Sequence, residues 1–169
     1  VARRRVQHAK AGTATAAQVR LLIRCGEIDL ALRKALEWSQ LHVELDQPQT
    51  ALEALEPVMD LVEESGLTGS ERARLYMLHA TSMLMTQPTN PATSRSLAHA
   101  NELGRHEGDV FAAELHLLQS RIQRVIGHYP NFRDHLMHAW RLIEHGKPSS
   151  LGSTVAGLLG WSNRVAGAV

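Results

Sequence analysis

The feature that most constrains the fold of this chain is a repeat of about 40 residues. Small residues recur at equivalent places along it, separated by 41, 40 and 40 residues: Ser39, Ala80, Ser120 and Gly160. Turn residues keep the same spacing, seven positions further on: Asp46, Gln87, Gly127 and Gly167. Small side chains are needed where two helices cross closely. The repeat therefore predicts a solenoid of antiparallel helix hairpins, each of which needs a neighbour to cover its apolar face.

Helix is the only regular structure that the residues favour. Ala, Leu, Glu and Arg dominate, and alternating runs of β-branched residues are absent. Between Thr50 and Glu64 the apolar residues recur at steps of three and four, on one stripe of a helix: Ala51, Leu52, Leu55, Val58, Met59 and Val62. Pro57 lies inside this helix and is expected to bend it. The sequence thus predicts an all-α fold.

Caps and helix breakers divide the rest of the chain into helices. Ser70 is predicted to cap a helix that ends at Gln87, before Pro88. Asp109 opens another, and Pro130 suits the first turn of the next because its missing N–H would have no partner there. The remaining helices are predicted at about 14–25, 28–45, 91–104 and 150–166. Loops of two to six residues join them, so consecutive helices should pack as hairpins.

Two segments resemble the tetratricopeptide superfamily. Gly127-His128-Tyr129, followed by Ala139, and the run from Asp46 to Leu52 are similar to its interhelix turn and to the start of its second helix. The longer period, with the runs 52–57 and 64–70, is more similar to the repeats of MalT-type (LuxR-family) bacterial transcription regulators. The resemblance covers residues 35–167. It implies a position between an ATPase module and a DNA-binding domain, where such repeats receive inducers or regulatory proteins.

The resulting prediction is one tetratricopeptide-like domain over residues 1–169, a right-handed superhelix. Its hairpins are expected at about 14–45, 35–66, 70–105 and 109–146, with a half-repeat at 150–167. Gly26-Glu27 also looks like a repeat turn but lies only 20 residues before Asp46, so half a repeat is merged or missing there. Gln87 to Ser94 contains two prolines and is expected to hold an insertion. Because the half-repeat has no second helix, we expect a fragment of a longer protein.

The predicted binding site is the concave surface, which the first helix of each hairpin lines. Positions one to five beyond each small residue select Gln40, Val43, Glu44, Thr81, Leu84, Met85, Arg121, Arg124, Val125, Trp161 and Arg164. Arg121 and Arg124 lie one turn apart and are suited to a carboxylate or phosphate. Met85 and Trp161 offer adaptable and aromatic contact. The alternative, that the arginines are solvated and the apolar residues form core, stays open.

Histidines are the other candidates for chemistry. His135 and His138 share a helical face, His145 lies a heptad beyond His138, and His99 and His106 are also seven apart. No third and fourth ligand is evident, so no metal site is predicted. Phosphate-loop, His-Glu-x-x-His and Cys-x-x-Cys motifs are absent, which favours a protein that is not an enzyme and needs no cofactor. A helical metal-binding enzyme using these histidines is the rival hypothesis.

Charge and cysteine content bear on partners and location. The net charge is +1 and the run Arg3-Arg4-Arg5 is the only basic cluster, so no direct contact with nucleic acid or membrane is predicted. Cys25 is the only cysteine and is expected to be a buried thiol, which suits the cytoplasm.

Partners are expected to be a protein or peptide, or a small-molecule inducer, in the concave surface. A further possibility is a homodimer through the C-terminal helix, because its apolar side is expected to be exposed in an isolated monomer; that side includes Val155, Leu158 and Leu159. Alternatives to the transcription regulator are the sensory repeats of another signalling protein, such as a nucleotide-cyclase regulator, and a self-assembling scaffold.

Overall fold

The computed structural model describes residues 14–146 and 149–166, and in this part of the chain all regular structure is helical. The all-α prediction is therefore confirmed. Helix α1 covers residues 14–24. It is followed by α2 (Ile28–Glu44), α3 (Pro48–Leu55), a 3₁₀ helix (Glu56–Leu61), α4 (Gly69–Thr86), α5 (Pro91–Leu103), α6 (Asp109–Val125), α7 (Tyr129–Ile143) and α8 (Ser150–Ala166). The Arg3-Arg4-Arg5 run and Gly167 lie outside the described residues.

The chain divides into two compact units, Val1–Leu103 and Gly104–Val169. In the first unit, α2 packs on α3 and on α4, α3 also packs on α4, and α4 pairs with α5. In the second unit, α7 packs against both α6 and α8. Because the loops within each unit are short, consecutive helices run antiparallel.

Three of the interhelix turns have the same backbone geometry. Gly26, Asp46 and Gly127 each adopt positive φ, at 79°, 58° and 80°. The next residue then donates its N–H to the carbonyl five positions back: Glu27 to Leu22 at 3.0 Å, Gln47 to His42 at 2.8 Å, and His128 to Gln123 at 2.8 Å. This is the Schellman arrangement, which satisfies a carbonyl that the helix end leaves free. The turn at Gly26 is thus a third copy of the turn at Asp46 and Gly127.

The small residues of the repeat are also in like surroundings. Ser39 and Ser120 are fully buried, and each hydroxyl donates to the carbonyl three positions back in its own helix, at 3.1 and 2.7 Å. Ala80 is equally buried. Each hydroxyl is satisfied within its own helix and needs no partner from another helix. A small side chain is therefore what these positions require, as expected where two helices cross closely. Gly160 is only half-buried, and a Cβ atom at this position would lie 3.8 Å from Nη1 of Arg164.

The predicted helix from Thr50 to Glu64 is wrong beyond Leu55. There α3 ends and the 3₁₀ helix begins, with Pro57 in its first turn. A proline has no N–H for an α-helical bond, and its ring collides with the carbonyl four positions back. The chain therefore changes helix type, where a bent α-helix was expected.

The N-cap predicted at Ser70 is also wrong, since Thr68 caps α4. The Thr68 hydroxyl accepts the Glu71 N–H at 3.2 Å, and the Glu71 carboxylate accepts the Thr68 N–H at 2.9 Å. This reciprocal capping box satisfies two N–H groups at the helix start, which a serine one residue inside the helix does not do.

Polar contacts from α2 hold the segment that leads into α4. The Asp29 carboxylate accepts the Gly66 N–H at 3.0 Å, and a side chain at position 66 would meet it at 2.7 Å. One turn further along α2, Arg33 donates to Glu71 at 3.1 Å. The start of α4 is therefore fixed by the first two turns of α2.

The core of the second unit covers the apolar side of α8. Buried side chains from α6, α7 and α8 meet there: Ala113, Leu117, Phe132, Leu136, Ala139 and Val155. Leu158 and Leu159 pack against this core and are half-buried. The expectation that Val155 would be exposed is wrong, because α7 covers it. The argument for dimerisation through this helix loses its main residue.

Cys25 is exposed in the turn between α1 and α2, so the expected buried thiol is also wrong. The residue precedes the positive-φ glycine of that turn, and the end of a helix at the surface leaves its side chain in solvent. None of the described helices combines the length and the apolar character that crossing a membrane requires.

Candidate binding surface

In the first unit the predicted surface residues lie on α2 and α4, with differing accessibility. Gln40 and Glu44 are exposed and hydrogen-bond to each other at 3.3 Å, and Val43 is half-buried. Met85 is 43% exposed and is accessible to a partner.

Leu84 and Thr81 are less accessible. Leu84 is buried in the core, so its assignment to the surface is wrong; it lies one turn after Ala80 and shares that buried face. Thr81 is half-buried, and its hydroxyl donates to the Met77 carbonyl at 2.8 Å. Of the α4 residues, only Met85 presents a large exposed side chain.

In the second unit the structure brings together residues from α6 and α8. The guanidinium carbon of Arg124 lies 5.9 Å from the ring centroid of Trp161, within the range of a cation–π contact. Phe132, which is buried, meets the Trp161 ring edge to face, with centroids 5.9 Å apart and planes at 82°. The aromatic partner therefore holds the indole in place while the cation rests on it. Arg124 and Trp161, both predicted to lie on the binding surface, are thus in contact with each other.

Arg121 extends this pair by one helical turn. Its guanidinium is half-buried, and burial, followed by the charge of Arg124, lowers its pKa below the usual arginine value. Within the described residues, no carboxylate lies within ion-pair distance of Arg121 or Arg124. Two like charges thus stand side by side without compensation. We call Arg121, Arg124 and Trp161 the Arg/Trp surface.

The stretches of α6 and α8 that carry the Arg/Trp surface contain no negative charge. Helix α8 contains no acidic residue, and neither does α6 from Leu115 to Val125. Arg164, exposed and one turn beyond Trp161 on α8, adds a further cation. The formal charges on α8, and on α6 after Glu114, are therefore all positive, whereas the neighbouring α7 segment also carries Asp134 and Glu144.

Exposed apolar side chains adjoin the Arg/Trp surface along the chain. Val125, Ile126 and Tyr129 are 42%, 61% and 53% exposed, at the end of α6 and the start of α7. These three side chains fall within five consecutive residues of the chain, whereas single exposed apolar residues are ordinary on protein surfaces.

A group of three histidines also lies between α6 and α7. The Nδ1 atoms of His116 and His135 are 3.2 Å apart, and the ring centroids of His116 and His138 are 5.3 Å apart. One imidazole of the first pair must donate and the other accept, which requires at least one to be neutral. Burial, then the neighbouring imidazoles, lowers the pKa of both His116 and His135.

Sequence reasoning paired His135 with His138 but missed His116, which lies on the other helix. A signal in the sequence could have found it: His116 lies ten residues before Ile126 and His135 eight residues after Gly127, and positions at similar distances on either side of a turn lie near each other in an antiparallel hairpin. The other histidines singled out lie elsewhere. His145 is exposed beside Glu144, and His99 stacks on Tyr76 with centroids 4.8 Å apart. In the described part of the chain, no three metal-ligating side chains are arranged to hold an ion.

In comparisons with known proteins, no protein-family model, curated protein or solved structure matches this chain. The likeness to tetratricopeptide repeats therefore depends on the residues of the turns and on the period.

Proposed function

We propose that this chain is a helical-repeat interaction and effector-sensing module. In this proposal the hairpins form a right-handed, tetratricopeptide-like superhelix, and its concave surface binds a protein or peptide partner, or a small inducer. Stacked repeats suit this role because each hairpin contributes a helix to one continuous face.

One observation carries the proposal, the recurrence of the same hairpin chemistry along the chain. The turns at Asp46 and Gly127 share backbone geometry and hydrogen bonds, and Ser39 and Ser120 share complete burial and the same hydroxyl bond. Each serine precedes its turn by seven positions. Such agreement in both sequence and structure supports copies of one structural unit, which is how solenoids are built.

The resemblance to MalT-type repeats suggests the biological setting. We propose that the module belongs to a bacterial transcription regulator and acts in the cytoplasm, where it passes partner binding to domains attached to it. It is not itself an enzyme in this proposal and makes no direct contact with nucleic acid.

Site-specific photo-crosslinking tests the proposal in the native host. A photoreactive amino acid is placed at Met85 or Arg164, on the first helices of their hairpins, and in matched variants at Arg95 or Arg133, on second helices. All four side chains are exposed, so accessibility does not bias the comparison. We expect one partner to be crosslinked from Met85 and Arg164 only. Crosslinks of equal yield from all four positions, or from none, would contradict the proposal.

A further inference from the structure

We propose that the Arg/Trp surface binds a carboxylate-rich peptide segment. This inference rests on the proposed function, whose ligand it specifies. Arg121 and Arg124 supply the charges, Trp161 supplies the flat apolar contact, and the exposed residues after Arg124 extend the surface for an apolar side chain.

The two guanidiniums are placed to act together. Residues three apart on a helix are neighbours on one face, about 5–6 Å apart at their Cβ atoms. Burial, and after it the charge of Arg124, lowers the pKa of Arg121, in keeping with two like charges on one helix face. A carboxylate between them would receive charge-assisted hydrogen bonds from both and would remove their mutual repulsion.

Helix stabilisation does not account for both arginines. A cation in the last turn interacts favourably with the helix dipole, which suffices to explain Arg124. Arg121 lies one turn earlier and is half-buried, where the dipole contributes little and desolvation is unfavourable. An unpaired cation that is kept partly out of water beside a second cation indicates an external anion.

The apolar neighbours favour a peptide over a free anion. Val125, Ile126 and Tyr129 are exposed and Trp161 is half-buried, and an inorganic or small organic anion cannot use the apolar area that they offer. An acidic segment with interspersed apolar residues matches both parts of the surface. Its carboxylates would lie on the arginines and its apolar side chains on the indole and the end of α6.

Fluorescence anisotropy tests this inference on the purified chain. The probe is a short fluorescein-labelled peptide rich in glutamate and leucine, compared with the same peptide carrying glutamine at each glutamate. We expect the glutamate peptide to bind, with affinity that falls as salt is added, and the glutamine peptide to bind at least about tenfold more weakly. Equal binding of the two peptides, or no binding of either, would overturn the inference.

Matched variants locate the site. Arg121→Gln with Arg124→Gln should weaken binding by about tenfold for each arginine, whereas Arg133→Gln with Arg141→Gln, which removes the same charge from exposed sites on α7, should leave it unchanged. Circular dichroism melts confirm that all variants are folded. Equal losses in the two double variants would show a nonspecific charge effect and overturn the inference.

Competition distinguishes the source of the anion. At constant ionic strength, citrate and inorganic phosphate should displace the peptide only weakly; displacement at concentrations similar to that of the peptide would instead assign the surface to small anions. If the peptide fails to bind while Met85 and Arg164 still crosslink to a partner, the ligand class is wrong and the interaction module stands. If both experiments fail, the proposed function fails too.

Discussion

Two pairs of arginines, one in each compact unit, are in opposite electrostatic situations. In the first unit, Arg33 donates to Glu71 at 3.1 Å and Arg72 to Glu63 at 3.4 Å. In the second unit, Arg121 and Arg124 lie next to each other and have no carboxylate partner within the described residues.

The difference contrasts a structural use of charge in the first unit with the binding use that we propose for the second. Glu63 also accepts the Tyr76 hydroxyl at 2.7 Å, and Glu71 belongs to the capping box of α4, so each ion pair joins a polar network that orders the first unit. The Arg/Trp surface has no such network. Two neighbouring cations without a carboxylate partner lower the stability of the folded chain. Residues that reduce stability in this way are typical of ligand-binding sites. The following predictions test the contrast.

The largest effect is expected from Phe132→Ala, which removes a buried ring from the core of the second unit. Large-to-small changes of this kind cost about 3–5 kcal/mol of unfolding free energy. The change also removes the ring that holds Trp161, so tryptophan emission should shift toward that of a solvated indole. Urea denaturation and emission spectra measure both. Ile126→Ala, an exposed control in the same unit, should change stability by less than about 0.5 kcal/mol. A similar loss in the two variants would contradict the packing described.

Acidification is expected to destabilise both units. Burial lowers the pKa of His79 in the first unit, and burial with neighbouring imidazoles lowers the pKa of His116 and His135 in the second. The unfolded chain, with histidine pKa values near 6.5, then binds protons more readily than the folded chain. Stability is therefore complete above about pH 6.5 and falls as the pH drops below it toward the folded-state pKa values, by at most about 1.4 kcal/mol per pH unit for each proton.

Chemical denaturation between about pH 8 and pH 5 measures this slope. His116→Gln with His135→Gln removes two titrating groups and should flatten it more than His79→Gln, which removes one. A wild-type unfolding free energy that does not change over this range would contradict the assignment.

The shared turn geometry predicts losses of stability of different size for two substitutions. Gly127→Ala puts a side chain on a backbone at φ 80° and should cost about 1 kcal/mol. Asp46→Gly relieves the only positive φ among the described non-glycine residues and should change stability by a few tenths of a kcal/mol or less, since glycine also increases the freedom of the unfolded chain. Thermal melts measure both. A larger loss at Asp46 than at Gly127 would show that the Asp46 side chain has a separate role.

The smallest effect tests the arginines directly. Arg72→Met should lower the unfolding free energy by about 0.5 kcal/mol because Arg72 pairs with Glu63 on a partly exposed surface. Arg121→Met should leave it unchanged or raise it by a similar amount, because it removes a desolvated charge beside Arg124. Urea denaturation at low salt measures the difference. A clear loss of stability in Arg121→Met would indicate that Arg121 supports the fold.

Local rules predicted most helix boundaries. Asp109, Pro130 and the Gln87-Pro88 break lie at or next to the ends of α6, α7 and α4, because caps and prolines act within one turn of the backbone. The repeat spacing also identified Ser39 and Ser120 as buried positions. Where two local signals competed, the prediction failed: Pro57 ended the α-helix inside an apolar stripe, and Thr68 with Glu71 was a better cap than Ser70.

The candidate site depended on contacts between helices, which the sequence specifies less directly. Counting from the small residues selected Arg124 and Trp161, which do meet, but also Leu84, which is buried. Counting positions from the small residue places a side chain along its helix. It does not tell which face of that helix a neighbouring helix covers. His116 was missed and Val155 was thought exposed for the same reason, since each depends on the register of α7 against another helix.

The hydrogen bond from the Gly66 amide to Asp29 gives the first unit a local reporter. Gly66 is exposed, whereas Leu67 beside it is buried in the core, so the Gly66 amide can open and close while Leu67 stays in place. Such a partial opening costs less free energy than global unfolding. Hydrogen exchange at this single amide would therefore report the contact between α2 and the segment before α4, well below the denaturant concentrations at which the unit unfolds.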